Sequence, residues 1–398
     1  MSSCRRRTTV TSELPQEVKE RILECMSTRD AARSSLLSTQ WREAWYRQGQ
    51  LFFDSAFFRS LENMSNSDND SLSIVSIINN ILILRAGPLK KFKLQMYYNS
   101  NPLLPKQSDL DRWCLYMSRN SIEELDLSMS HSGPKYKVPS CLVSCNTIKK
   151  LKLDYFDFYL PVDASCIFPR LTYLDFRSVE FFRGSDKFDK RLVFSIPKLE
   201  KLGLYMCSQI KSFAISAPKL KSLTEVGFEC PVGSSRLLKL HLTSIVTLRL
   251  LLYYYSARAL AVASSTFPIA INLQEIILDA FDFSSKDHLT YAGQLFKKSP
   301  KLCVLEIEYV ERSQVADPAL LEDLMEADFR MLETVKLDGF RGSEIELCLV
   351  KLLLSKSPAL HDVVIYEARD IDSSMASEAP KKLLSFPRAS PKAQIVYK

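Results

Sequence analysis

The feature that most constrains this chain is a six-residue pattern, apolar-x-x-apolar-x-apolar, that recurs ten times from Leu89 onward. It reads LKKFKL at Leu89, IEELDL at Ile122, IKKLKL at Ile148, LTYLDF at Leu171 and LEKLGL at Leu199. It returns as IVTLRL at Ile245, LQEIIL at Leu273, LCVLEI at Leu302, LETVKL at Leu332 and LHDVVI at Leu360. Successive starts lie 33, 26, 23, 28, 46, 28, 29, 30 and 28 residues apart, and a degraded copy, IKSFAI at Ile210, stands in the wide gap. The last four positions alternate and predict a short strand whose apolar residues point into a core, while the leading apolar residue closes a turn. One such unit leaves its apolar side open. Stacking on neighbours buries it, so the pattern predicts a solenoid rather than one closed core.

A period of about 20 to 30 residues with this core resembles the leucine-rich repeat. Standard repeats place Asn or Cys three residues past the last apolar position, and here Cys207 alone does so. Tyr97, Phe156, Val179, Phe281, Val310 and Phe340 fill that place elsewhere. An apolar residue packs there without supplying a hydrogen-bonded ladder, so an irregular solenoid is expected. Between strands, stretches such as Ser285 to Lys298 read as helices on the convex side, started at Ser285 or Asp287.

The N-terminal stretch Leu14 to Trp45 has a different period. Val18, Ile22, Leu23 and Met26, then Leu36, Leu37, Trp41 and Trp45, fall at helical spacing. Pro15 suits a first helical turn, Asp30 is placed to cap a second helix and Ser38 a third. Two or three short helices in so few residues rarely bury enough surface to stand alone, and the tryptophans and leucines predict a face completed by something else. The stretch resembles an F-box. Leu14-Pro15 matches its opening, Ile22-Leu23 its centre, and Leu37-Ser38 with Trp41 and Trp45 its close, whereas Met26-Ser27 and Thr39-Gln40 depart from the usual pattern. The tail, LLLSKSPALHDVVI from Leu352 and LLSFPRASPKAQIVY from Leu383, resembles the FBD module of plant F-box/FBD/LRR-repeat proteins. So do SIPKLEKLGLYMC from Ser195 and PSCLVSC from Pro139, which places the resemblance over nearly the whole chain.

Composition narrows the function. A chain of 398 residues, 46% apolar and 25% charged, can bury a large core, and only 10 glycines argue against phosphate-cradling loops. The net charge of +7 is mild and spread along the chain, so nucleic acid is not implied, and Arg5-Arg6-Arg7 is the one basic run. No Walker loop, H-E-x-x-H, G-x-S-x-G or C-x-x-C is present, and His131, His241, His288 and His361 lie in different repeats, so no enzyme activity is expected. Ten scattered cysteines, with only Cys141 and Cys145 close and no His beside them, predict no metal or cofactor. With no secretory h-region, they imply reduced thiols in the cytoplasm and/or nucleus. The longest apolar run, Ile74 to Leu84, is about half a membrane span, so no membrane association is expected.

The expected fold is therefore α/β: a small N-terminal all-α F-box module, then a leucine-rich-repeat horseshoe with a C-terminal FBD-like cap. The divisions are a flexible basic tail (1–11), the F-box module (12–50), an irregular solenoid (51–340) and the FBD-like repeat and cap (341–398). The resemblance implies a substrate-recruiting adaptor of a Skp–cullin–F-box ubiquitin ligase. Leu14, Pro15, Val18, Ile22, Leu23, Leu37, Trp41 and Trp45 would hold the Skp-type subunit, and the concave sheet would hold a protein target. On that sheet Lys91, Lys93, Lys150, Lys152, Tyr173, Arg177, Lys201, Tyr205 and Arg249, with Glu124, Asp126, Asp154 and Asp175 among them, form a basic end of net +3, and Glu275, Glu306 and Glu308 belong to an acidic end of net −5. The alternatives are a solenoid sensor of a small or anionic ligand, or a nucleic-acid-binding protein using the basic end.

Overall fold

Three short helices open the chain, and serines start two of them. α1 (Gln16–Glu24) begins after Pro15. α2 (Thr28–Ser34) is capped by Ser27, whose Oγ accepts from the Asp30 N–H at 3.1 Å and donates to the Asp30 carboxylate at 2.8 Å. Asp30 thus stands in the first turn rather than at the cap, the reverse of the sequence expectation. α3 (Thr39–Arg47) is capped as expected by Ser38, which accepts from Trp41 N–H. Leu23, Ala31, Trp41, Ala44 and Trp45 are buried, and the Lys19 ammonium donates to Gln40 Oε1 at 2.6 Å to tie α1 to α3.

The structure, a computed structural model, describes residues 14–62, 74–96, 105–131, 133–160, 167–183, 193–208, 214–226, 244–252, 269–310, 321, 327, 329–368 and 379–398. The basic N-terminal tail, Tyr97, Ile210 to Phe213 and His241 lie outside the described residues. Contacts divide the chain into two compact units, one reaching Tyr159 with Ile167–Leu171, the other holding Thr172–Lys398 and Leu160–Cys166.

In the first unit the helices lead into β1 (Gln50–Phe53), α4 (Ser55–Glu62) and α5 (Ile74–Ile83). Then come β2 (Lys91–Gln95), α6 (Gln107–Arg119) and β3 (Glu124–Ser128). β4 (Tyr136–Lys137), α7 (Ser140–Val143), β5 (Lys150–Asp154) and β6 (Phe156–Leu160) complete the unit. β1, β2, β3 and β5 pair in parallel with Leu51, Phe92, Leu125 and Leu151 in register, all buried. Thr28 Oγ1 accepts from Phe52 N–H at 2.8 Å, which fastens α2 to β1. The apolar run from Ile74 is α5, and Asn79 within it accepts from the Trp113 indole of α6 at 2.7 Å. No helix among the described residues is long and apolar enough to cross a membrane.

The second unit carries β7 (Tyr173–Arg177), β8 (Glu180–Arg183), β9 (Val193–Ser195), β10 (Lys201–Tyr205), β11 (Ala214–Ser216), β12 (Ser222–Val226) and β13 (Thr247–Leu251). β14 (Glu275–Phe281), α8 (Lys286–Lys297), β15 (Val304–Tyr309) and β16 (Thr334–Phe340) come next. The unit ends with α9 (Glu344–Lys356), β17 (Asp362–Glu367), α10 (Ala379–Leu384) and β18 (Gln394–Tyr397). Nine strands, β7-β10-β12-β13-β14-β15-β16-β17-β18, form one parallel sheet that does not close into a barrel. Ser285 caps α8, as its sequence predicts.

The repeat missing from the 46-residue interval is not at Ile210. It is LKSLTE at Leu220, which supplies β12 and divides the interval into steps of 21 and 25 residues. Residues 214–216, at the end of the IKSFAI copy, form β11, which pairs with β9 outside the main sheet. Every leading apolar residue of the pattern among the described residues is buried, Leu220 included. The chain also takes a left-handed step at Tyr155, Ser178, Met206, Ala280 and Gly339, with φ between +48° and +78°. Each step stands immediately before a buried Phe156, Val179, Cys207, Phe281 or Phe340. A left-handed L-residue costs about 1–2 kcal/mol, and turning the next side chain inward offsets it. Cys207 uses its thiol as expected, donating towards the carbonyls of Phe176 and Tyr205 at 3.5 Å.

Candidate protein-docking surfaces

The helical module sorts its apolar residues sharply. Leu23, Trp41 and Trp45, expected to meet a partner, are 1%, 9% and 6% exposed, so they hold α1, α2 and α3 together as core. Burying them is what lets so small a unit keep its shape. Val18 and Ile22 are 40% and 38% exposed on α1, Pro15 is exposed and Leu14 half-buried. Leu37 is 73% exposed, and Leu36, beside it and absent from the expected docking set, is 78% exposed. Large apolar side chains this bare, side by side, are the strongest apolar signal on the module. One groove beside them is lined by Met26, Ser27, Asp30, Arg33, Ser34, Leu36 and Leu37. A second, sharing Arg33 and Leu36, adds Phe57 of α4 and Ile77 and Ile81 of α5.

Contacts to the α3 backbone fasten the module to the segment between α5 and β2. Arg85 donates to the Trp45 carbonyl at 3.0 Å, and burial lowers its pKa to about 10, still well above neutrality. Gly87 permits the approach, because a Cβ there would stand 2.9 Å from the Arg47 carbonyl.

On the outward side of the first unit's strands, register sets the four expected lysines around two acids. Lys91, Glu124 and Lys150 lie abreast, as do Lys93, Asp126 and Lys152. Glu124 takes ion pairs from Lys91 at 3.8 Å and Lys150 at 3.0 Å. The basic end read from the sequence is therefore a checkered field, partly neutralised across strands. Asp154, counted as outward, is only 8% exposed, and His131 Nε2 lies 3.3 Å from it while stacking on Tyr155 at 4.5 Å. His288, by contrast, belongs to the core, its Nδ1 accepting from the Asp282 N–H.

The second unit brings Tyr173, Arg177 and Tyr205 together. Asp175, 2% exposed, accepts from the Tyr173 hydroxyl at 3.2 Å and from Arg177 at 3.3 Å, and the Arg177 guanidinium lies 4.5 Å over the Tyr205 ring. Burial first, and then Asp175, pushes the Tyr173 phenol up to about 12, so it keeps its proton and donates. Arg249 makes a two-pronged pair with Asp279, one prong at 3.0 Å, and that pairing raises its pKa. Glu306 pairs with Lys336 at 3.4 Å, and Glu275 accepts from Thr247. Burial, then the neighbouring Asp279 and Asp338, raise the Glu308 carboxyl above its ordinary value. Among the described residues no cluster of His, Cys, Asp and Glu is arranged to hold a metal ion.

The F-box domain family matches residues 11–52, and a family described as At1g61320/AtMIF1, LRR domain, matches residues 84–231. F-box/FBD/LRR-repeat protein At1g13570 of Arabidopsis thaliana is 28% identical, over 97% of this chain and 97% of its own length. F-box/LRR-repeat protein At2g42720 and F-box/FBD/LRR-repeat protein At3g52680, from the same plant, are 29% and 30% identical over 56% and 54% of this chain. Those alignments span 49% and 44% of the two relatives. The chain thus joins an F-box domain to a leucine-rich-repeat domain, as the names of the plant F-box/FBD/LRR-repeat proteins it resembles declare of them.

Proposed function

We propose that the chain recruits substrates to a Skp–cullin–F-box ubiquitin ligase. The F-box docks the Skp-type subunit, and the repeats, arranged as a horseshoe and capped by the FBD-like segment 341–398, bind a target protein. The carrying observation is the pair Leu36 and Leu37, three-quarters bare on a module matched by the F-box family. Leu14, Pro15, Val18 and Ile22 extend that contact. Chemistry belongs to the ligase; this chain supplies proximity, raising the local concentration of target beside the transferring enzyme. The expected compartment is the cytoplasm and/or nucleus.

Affinity purification of the full chain beside its Leu36→Ser/Leu37→Ser variant tests this reading. Ligase subunits should be lost from the variant, while candidate targets are retained by both. Equal recovery of ligase subunits, or their absence from both, would overturn the docking assignment. Deleting residues 1–50 is a poorer test, because it removes Trp45 and Thr28, which hold Arg85 and β1.

A further inference from the structure

Gly203 lies in the middle of β10, in register with Asp175 on one side and Thr224 on the other, with Arg249 next in the row. A Cβ at 203 would meet the Tyr205 ring at 2.9 Å and the Asp175 carboxylate at 3.5 Å. The glycine therefore makes room for a polar assembly on the outward side of the sheet, where the apolar core gains nothing from it. The assembly fixes Arg177, half-exposed at 51%, upon an Asp175 whose side chain is 2% exposed. Arg249 is fixed likewise, 47% exposed upon an Asp279 that is 9% exposed. In both pairs the carboxylate is covered and the guanidinium faces out.

We propose that the outward side of β7, β10, β12 and β13 is the docking site for an extended acidic segment of the target protein. The proposal rests on the target-recruiting reading above and names the partner's chemistry. Arginine and tyrosine dominate the energetics of protein interfaces, and an arginine held in place before binding loses little rotamer freedom on contact. A guanidinium has five N–H donors in a planar fork, more than one carboxylate takes up, so a second acid can be accepted beside the first. Exposed Lys201, on β10 abreast of Tyr173 and on the same face, adds a third cation. Three strand spacings separate β7 from β13, about 14 Å, which an extended chain covers in about four residues. Across β14, β15 and β16 the sign reverses, since Glu275, Asp279, Glu306, Glu308 and Asp338 stand at the outward positions with Lys336 among them. Like charges there confine an acidic segment to the β7–β13 side.

The test presents the full-length chain with a phage-displayed library of random twelve-residue peptides, with adaptor binding measured in parallel. The expected result is enrichment of peptides carrying two or more Asp or Glu about four residues apart. Their binding should fall about tenfold or more in Arg177→Gln or Arg249→Gln. Lys201→Gln, an exposed position without a packing role, should weaken them at least twofold with an unchanged melting curve, which guards against a misfolded arginine variant. Selection of no peptides, of peptides without acidic enrichment, or of acidic peptides indifferent to all three substitutions would overturn the proposal. Loss of adaptor binding with acidic selection intact would instead overturn the ligase reading alone.

Discussion

Exchanging Leu36 and Leu37 together for Ser separates docking from folding in the helical module. At 78% and 73% exposure these side chains contribute little to the fold, so the double variant should lie within about 0.5 kcal/mol of the parent in stability. Covering a leucine fully is worth about 1.5–3 kcal/mol, and about three-quarters of each remains to be covered by a partner. The pair should then cost about 2–4 kcal/mol of adaptor binding, roughly 30- to 700-fold in Kd. Trp45→Ala does the opposite. With only 6% of the ring exposed, truncation leaves a cavity between α1 and α3 and should cost about 3–5 kcal/mol of stability. Calorimetric titration with a purified Skp-type adaptor and thermal melts of the three proteins read both quantities. Parent-like affinity in the leucine variant would refute the reasoning, as would a Trp45→Ala protein that melts normally yet no longer binds.

Other outcomes come from the same contacts. Glu346, 2% exposed, caps α9 with Ser343, and burial holds its carboxyl above the ordinary 4.5. Its protonated form is favoured in the fold, so the stability this shift contributes is full below the unfolded pKa and is lost as pH rises through the folded one; Glu346→Gln should remove that slope from a plot of melting temperature against pH. Lys91→Gln with Lys150→Gln should shift stability by less than about 1 kcal/mol in denaturant melts, because both ion pairs to Glu124 are well exposed. Gly339→Ala should cost about 1–2 kcal/mol in the same assay, since φ is +78° and a Cβ would stand 3.0 Å from the Tyr309 carbonyl. Removing residues 379–398 takes away β18 and buried Leu383 and should lower the melting midpoint, with concentration-dependent light scattering.

The strands were legible because their burial has the simplest period. From Leu89 to Leu360 the leading leucine or isoleucine is buried in all ten regular copies, and a strand succeeds each. The pattern failed at Leu220 for a reason of chemistry. Glu225 takes the third apolar place of LKSLTE, while IKSFAI satisfies all three without supplying a strand of the main sheet. Backbone register, carried by Lys221 N–H to the Glu200 carbonyl and Val246 N–H to the Lys221 carbonyl, outranks one side chain there. The left-handed steps were equally hidden. Of the five residues that precede the inward-turning position, only Gly339 advertises a positive φ; Tyr155, Ser178, Met206 and Ala280 do not.

The helical module places residues of one pattern in two different surroundings. Leu23, Trp41 and Trp45 and the exposed Leu37 belong to one F-box pattern, yet the first three are spent inside the helices and the last is free to meet a partner. Helical spacing assigns residues to a face; it does not say which face another helix has already taken. The repeat sheet carries the same lesson in charge. Lys91, Lys93, Lys150 and Lys152 sum to a basic patch in sequence, but register places Glu124 and Asp126 between them. Arg177 and Arg249 sit over covered carboxylates and turn outward. A count of charges ranks the lysines first, whereas their geometry ranks the arginines first. Recognition depends on where a charge is held as well as on its sign. Substituting the lysines should therefore change a target's association modestly, and substituting the arginines should change its residence time.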